Sequence, residues 1–258
     1  MSGITLLLIV AFFAIAVAYS LVGMGGGSAY LAVLVLLDLG RPEMVKVVLT
    51  CNLIVACMAV IQFQRAGHFT LRIAVPLLAS ALPTSFLITF FEMPVRLFII
   101  SVAVLLLLAG CRMFITLRIE GQPAYRIPPN ELWTYGLPLG FILGAFIGAI
   151  GIGGGIFLVP MLAFLHWGTT KQVGATTSLF IMLTSLVALI GRFANEPHLY
   201  ELYDYIWVYP AVIAGGLIGS RIGARALPIA GFRLVSAVLV LSVSGVLFYR
   251  IFSDLIDI

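Results

Sequence analysis

Long uncharged runs alternate with short polar joints along this chain. The runs span residues 3–37, 47–64, 73–91, 97–111, 132–165, 172–191, 205–220 and 234–249. A helix needs about 20 apolar residues to cross roughly 30 Å of hydrocarbon, and the shorter runs reach that length with flanking residues whose polar heads stay in water. The pattern predicts an all-α integral membrane protein with about eight membrane segments. Two runs are overlong, and each is interrupted by a glycine knot. Gly23-Met24-Gly25-Gly26-Gly27 breaks the first, and Gly151-Ile152-Gly153-Gly154-Gly155 breaks the fifth.

The knots lie 128 residues apart, since 151 − 23 = 128. The same offset carries Gly40 onto Gly168, Val45 onto Val173 and Thr50 onto Ser178. Further on, Pro76 and Pro94 match Pro210 and Pro228 at an offset of 134. The chain therefore reads as two four-segment repeats, 1–116 and 132–258, joined by a polar linker at 117–131. The first segment of each repeat is the broken one.

A single continuous helix from Trp133 to Trp167 would be about 52 Å long at 1.5 Å per residue. That is too long for one span and too short for two. A helix that enters, breaks at the glycines and returns by a shorter arm fits better. Such re-entrant backbone is tolerated where protein or a water-filled cavity covers it. Charge supports that choice. If each broken segment crosses once, Lys and Arg split seven against seven across the membrane. If each is re-entrant, each half crosses three times and the repeats are inverted. One side then holds nine basic residues: Arg65, Arg72, Arg112, Arg118, Arg126, Lys171, Arg221, Arg225 and Arg233. The other holds five: Arg41, Lys46, Arg96, Arg192 and Arg250. Basic residues favour the cytoplasmic side, which puts the linker inside and both termini outside.

Composition agrees with a membrane solvent. The chain is 62% hydrophobic and 9% charged, against about 25% charge in a soluble domain. The first segment has no basic n-region and far exceeds a signal-peptide core, so it is expected to remain in the mature protein. Cys51, Cys57 and Cys111 all fall in apolar runs, which suggests helix packing and neither disulfides nor a metal site. The formal charge of +4 sits at segment ends, where lipid headgroups account for it, and gives no sign of nucleic-acid binding. No Asp or Glu lies inside a long run. A proton-coupled carrier usually places one there, and hydrolysis or metal catalysis would need clustered carboxylates or histidines. The pattern points to neither an enzyme nor a cofactor.

Three consecutive glycines in a helix cost about 1 kcal/mol each relative to alanine. Anion binding would offset that cost. Glycines let successive N–H groups turn inward, and a returning arm beginning near Ser28 or Ile156 would aim a helix N-terminus at the break. Close helix packing is the competing account. The candidate binding set is therefore Gly25, Gly26, Gly27 and Ser28 with Gly153, Gly154 and Gly155. Thr50 and Asn52, and Thr176, Thr177 and Ser178, add hydroxyl and amide donors just inside the next segments. Each hydroxyl could instead bond its own helix backbone. Arg221 and Arg225 are candidates to attract anions at a cytoplasmic mouth, though headgroup contacts would also account for them.

Both knots, Val159-Pro160 and the stretch Lys171-Gln172-Val173-Gly174-Ala175-Thr176-Thr177-Ser178 together resemble the TauE/SafE family of sulfite and organosulfur-anion exporters. The first half departs from that pattern: Ala32 and Val33 follow its knot where the second half has Pro160, and Val48-Leu49-Thr50 is less polar than Thr176-Thr177-Ser178. The resemblance implies a secondary transporter of the bacterial cytoplasmic membrane that exports sulfite, sulfoacetate or a similar anion by alternating access. An anion channel, or a membrane assembly protein whose knots only pack helices, remains the alternative. The expected partners are a small anion and the bilayer, with a homo-oligomer left open. Single-cysteine labelling from each face, in a variant lacking the native cysteines, should find the 117–131 linker reactive only from the cytoplasm. A linker reactive from outside would overturn the inverted arrangement.

Overall fold

The computed structural model describes residues 3–37, 39, 44–90, 107, 110–111, 128–150, 155–195 and 200–256. The described residues are helical with short turns and contain no strand. Helix α1 spans Gly3–Ser20 and α2 spans Gly27–Leu36. They are followed by α3 (Met44–Arg65) and α4 (Leu71–Ile88). In the second half, α5 (Pro129–Ile150) and the ten-residue α6 (Gly155–Phe164) precede α7 (Thr170–Asn195). A short α8 (Tyr200–Asp204) and a 3-10 turn lead into α9 (Tyr209–Arg221). That helix continues through a π-helical turn, Ile222–Ala226, before α10 (Ile229–Ile256).

Seven described stretches are long and apolar enough to cross a membrane: Gly3–Ser20, Met44–Arg65, Leu71–Ile88, Asn130–Gly148, Thr170–Asn195, Ile206–Ala226 and Ile229–Val246. Each coincides with one of the runs read from the sequence. The eighth run, 97–111, lies almost wholly outside the described residues. Helix α5 begins three residues before the expected start at 132, inside the polar linker. Its first turn explains this. Proline suits an opening position whose N–H would be unpaired anyway, and Glu131 complements the positive helix start.

The first overlong run is broken where the glycines stand: helix α1 ends at Ser20 and helix resumes at Gly27. In the second, α5 ends at Ile150 and α6 begins at Gly155, with residues 151–154 outside the described residues. The ten-residue arms α2 and α6 are about 15 Å long, half a bilayer. Helix α2 doubles back beside α1. A Cβ on Gly26 would lie 3.0 Å from Ile15 and 3.4 Å from Tyr19, and the Tyr30 ring stacks on Phe12 at 4.7 Å. One turn forward on α2 is thus one to two turns back on α1, so α2 runs back along it.

Helices α3 and α7 are the two most deeply buried and pack on each other. Helix α1 lies along α9, and α4 lies along α5. Glycine stripes set both of these flanking contacts. On α5, Gly136, Gly140, Gly144 and Gly148 recur every four residues and face Pro76, Leu77, Ala81 and Ser85 of α4. On α9 and its π-turn, Gly215, Gly219 and Gly223 face Ala16, Ser20 and Leu21. A Cβ on Gly144 would lie 2.7 Å from Ala81 Cα, and one on Gly215 would lie 2.8 Å from Ala16 Cβ. Small residues are what allow backbones to approach this closely between apolar helices, where exclusion from water supplies no pairing force.

The two contacts are related. Gly144 meets Ala81 while Ala16 meets Gly215, and Gly148 meets Ser85 while Ser20 meets Gly219. Gly144 lies 144 − 16 = 128 residues after Ala16, and Gly215 lies 215 − 81 = 134 residues after Ala81. The offsets read from the glycine knots and prolines therefore carry one helix contact onto the other.

Replacing Gly144 or Gly219 with leucine should overpack these contacts by about 1–3 kcal/mol or more. The expected outcome is a lower melting temperature in detergent for both. Gly245→Leu is the control, because a Cβ there meets nothing within 4 Å. Equal stability of all three variants would remove the stripes as packing determinants.

Candidate functional site

The first knot is a helix cap followed at once by a helix start. Gly23 N–H donates to Ser20 at 3.2 Å, and Met24 N–H donates to Tyr19 at 2.9 Å. This closes α1 with Gly23 in the left-handed region at φ +75°. Gly26, at φ +89°, opens α2 by accepting from the N–H groups of Ala29 and Tyr30, both at 3.0 Å. Residues 22–27 are all buried. Irregular backbone here is covered by protein, as the bilayer requires.

What covers it is α3 and α7. Gly23 sits directly against the Gly174 carbonyl of α7, so closely that no side chain would fit. Gly25 sits against the Asn52 carboxamide of α3, and its Cβ would lie 3.0 Å from Ile181 of α7. Asn52 Oδ1 accepts the Gly27 N–H at 3.1 Å, and Asn52 Nδ2 donates to Ser185 Oγ at 2.8 Å. One buried side chain thus satisfies the first N–H of α2 and ties the break to α7.

Gly174, Thr177 and Ile181 recur at i, i+3 and i+7 on α7, which places them on one face. Gly23 touches the first and Gly25 the last, so Thr177 lies between them on the face that meets the knot. Thr177 is fully buried and its hydroxyl has no hydrogen-bond partner among the described residues. Thr176, also buried, lacks a partner too. A buried hydroxyl left unpaired costs about 1–3 kcal/mol. The other candidate hydroxyls are engaged. Thr50 donates to the Lys46 carbonyl at 2.8 Å and Ser178 to the Ala175 carbonyl at 2.9 Å, both within their own helices. Ser28 is hydrogen-bonded to the Tyr19 side chain.

Gly153 and Gly154 lie outside the described residues, and Gly155 opens α6. Arg221 and Arg225 are exposed at the end of α9 and in its π-turn. Beside them, Lys171 Nζ donates to the carbonyls of Gly223 and, at 2.7 Å, Leu227, and lies 5.5 Å from the centre of the Phe232 ring. His68 Nε2 lies 3.2 Å from the Ala224 carbonyl. The carbonyls of the π-helical turn and the residue after it are thereby met by side chains from α7 and from the turn after α3. Ser185 was not a candidate in the sequence, although it stands eight residues beyond Thr177, two turns along the helix.

This arrangement defines a multi-pass helical membrane protein in which the short helix α2 presents its first N–H to a buried side chain of α3 that is tied to α7. The family model described as sulfite exporter TauE/SafE matches residues 7–247. The chain belongs to this TauE/SafE family of membrane transporters. It is 33% identical over 238 residues to the "Probable membrane transporter protein y4hK" of Sinorhizobium fredii, covering 92% of this chain and 95% of that one. No solved structure gives a significant match.

Two substitutions should move stability in opposite directions. Asn52→Leu leaves the Gly27 N–H and Ser185 without their partner and should destabilise the protein by about 1–3 kcal/mol. Thr177→Val removes an unpaired hydroxyl while keeping shape, and should raise the melting temperature of the ligand-free protein. Thermal unfolding in nanodiscs, without oxyanions, checks both. A destabilised Thr177→Val variant would show that the hydroxyl already has a partner.

Proposed function

We propose that this protein exports a small sulfur-containing anion, such as sulfite or sulfoacetate, across the bacterial cytoplasmic membrane by alternating access. The observation that carries the reading is the unpartnered Thr177 hydroxyl, buried against the glycine knot. An oxyanion is the acceptor this donor lacks. Thr176 offers a second such donor. The start of α2 adds about half a positive charge at the same crossing. Gly25, Gly26 and Gly27 let backbone approach the anion, and Asn52 holds the arm in place. By the sequence correspondence, Gly153, Gly154 and Gly155 with α6 supply the opposing terminus. Ser28, Thr50 and Ser178 border this set with hydroxyls that can still accept or share a bond. Arg221 and Arg225 gather anions at the cytoplasmic mouth.

The mechanism follows from the packing. The related contacts of α1 with α9 and of α4 with α5 support an inverted two-fold repeat about the central α3–α7 pair. A binding site on such an axis opens to either face when one flanking pair rocks against the other. Direction follows from the membrane potential. An anion leaving a negative cytoplasm gains about 2.3 kcal/mol per charge per 100 mV. Export on that gradient requires no intramembrane carboxylate.

Flux of sulfite in proteoliposomes, with potential and pH gradient set independently, should saturate and follow the potential. Thr177→Val should weaken apparent affinity by about 0.5–1.5 kcal/mol, roughly 2- to 13-fold, with the protein still folded. Flux that strictly follows the pH gradient at fixed potential would overturn the uncoupled mechanism. Unchanged affinity in Thr177→Val would remove that hydroxyl from the site.

A further inference from the structure

The π-helical turn after α9 leaves carbonyls that its own helix does not pair. Leu227 precedes Pro228 and is extended, at φ −70° and ψ 122°, the conformation a proline favours in the residue before it. The Leu227 N–H reaches back five residues to the Ile222 carbonyl, at 2.8 Å. In an α-helix that N–H would go to Gly223, and the next one to Ala224, but Pro228 has none to give. Side chains from elsewhere meet both carbonyls. Lys171 Nζ of α7 donates to Gly223 and, at 2.7 Å, to Leu227, and His68 Nε2 lies 3.2 Å from the Ala224 carbonyl. An aromatic pair lies next to this clamp. Phe63 of α3 and Phe232 of α10 are fully buried and meet edge to face, with ring centres 6.5 Å apart. Both close on Gly174 of α7, where a Cβ would lie 2.8 Å from the Phe232 ring and 3.2 Å from Phe63. Lys171 Nζ stands 5.5 Å from the Phe232 ring centre, and the His68 ring meets Phe63 edge-on at 6.5 Å. The knot meets α7 from Gly174 to Ile181. The order along α7 is therefore clamp, aromatic pair, knot.

We propose that Phe63 and Phe232 form a gate between the knot and the end of the protein where Arg221 and Arg225 are exposed, and that Lys171 on the π-turn is its latch. The role rests on the proposed alternating access, which needs that end to close and open in turn. The latch has two arrangements of the same groups. In the closed one, seen here, Lys171 holds Gly223 and Leu227 and stays over the Phe232 ring. In the open one, Leu227 turns helical and its N–H moves one residue, from Ile222 to Gly223. The Gly223 carbonyl is then paired without Lys171, and the ammonium is released to water. Helix α10 begins two residues after Leu227, so the same turn re-aims it and carries Phe232 off Gly174. Pro228 disfavours a helical Leu227, so the gate rests closed.

The test uses the full-length protein in nanodiscs with Cys51→Ala, Cys57→Ser and Cys111→Ser, and with Ser178→Cys as the sole thiol. Ser178 is fully buried and stands one turn beyond Gly174, on the knot side of the aromatic pair. A cationic methanethiosulfonate, too polar to enter lipid, reports when water reaches that thiol. Lys171→Met removes the latch's donor and should speed the reaction several-fold. Pro228→Ala gives Ala224 an N–H and frees Leu227 to turn helical, so it should also speed the reaction, with Lys171 untouched. A lysine that serves stability alone predicts no gain from Pro228→Ala. Either variant, folded but reacting no faster than the parent, overturns the latch, as does a thiol that never reacts. If Lys171→Met fails to fold, Pro228→Ala alone decides. Sulfite flux of the native protein in proteoliposomes separates the two proposals. Faster reaction in the variants without native flux keeps the gate and removes sulfite export; flux with unchanged reaction rates removes the gate alone.

Discussion

The fold depends on how one broken backbone is satisfied where no water can reach it. Each N–H or C=O left unpaired in hydrocarbon costs several kcal/mol. Breaking α1 at residues 21–26 exposes such groups in the protein's interior. The cap around Gly23 pairs those at the end of α1. Asn52 pairs the Gly27 N–H at the start of α2, and through Ser185 it fixes the arm against α7. The buried hydrogen-bonded chain Gly27–Asn52–Ser185 spans three helices from both halves. Without it, the simplest relief would be to continue α1 as a straight helix, and no helix terminus would reach the crossing.

Holding that terminus in place also requires the surrounding helices to come very close. The glycines on α5 and α9 do this by removing side chains from two interfaces, so that backbone meets backbone. Both stripes lie in the second half of the chain. The first half answers with Ala16, Ser20, Ala81 and Ser85, which are small but not glycine. The two related contacts are therefore built unequally, one helix supplying the gap and the other the residue that fills it. The sequence at the knot contact is unequal too. Asn52 stands where the 128 offset places Phe180, since 52 + 128 = 180.

Much of this was legible in the sequence because lipid imposes simple rules on it. Uncharged runs gave the helices, and the first glycine knot gave the break after α1 within a residue of where α2 begins. The role of Asn52 was not legible. An asparagine about two turns into a membrane helix reads as a donor, and only the fold brings its oxygen to a backbone N–H 25 residues earlier. Thr50 and Thr177 look alike in the sequence, yet one bonds its own helix and the other does not. Ser185 carried the right two-turn spacing from Thr177, but spacing alone does not say which face meets the knot.

The described polar groups at this crossing are neutral, and that bears on how a carrier can release an anion. A buried arginine would bind an oxyanion tightly, and its own charge would need a partner whenever the site emptied, at several kcal/mol. Hydroxyls and helix-end N–H groups carry only partial charge. They hold an anion by about 0.5–1.5 kcal/mol per hydrogen bond, with more where the anion's charge is felt. When the site empties, the remaining cost is that of unpaired donors, which a folded membrane protein can bear. A site that must bind on one face and let go on the other works best when its filled and empty states differ little in energy. On the proposed reading, the unpartnered hydroxyls of Thr177 and Thr176 are the neutral donors that such a site would use.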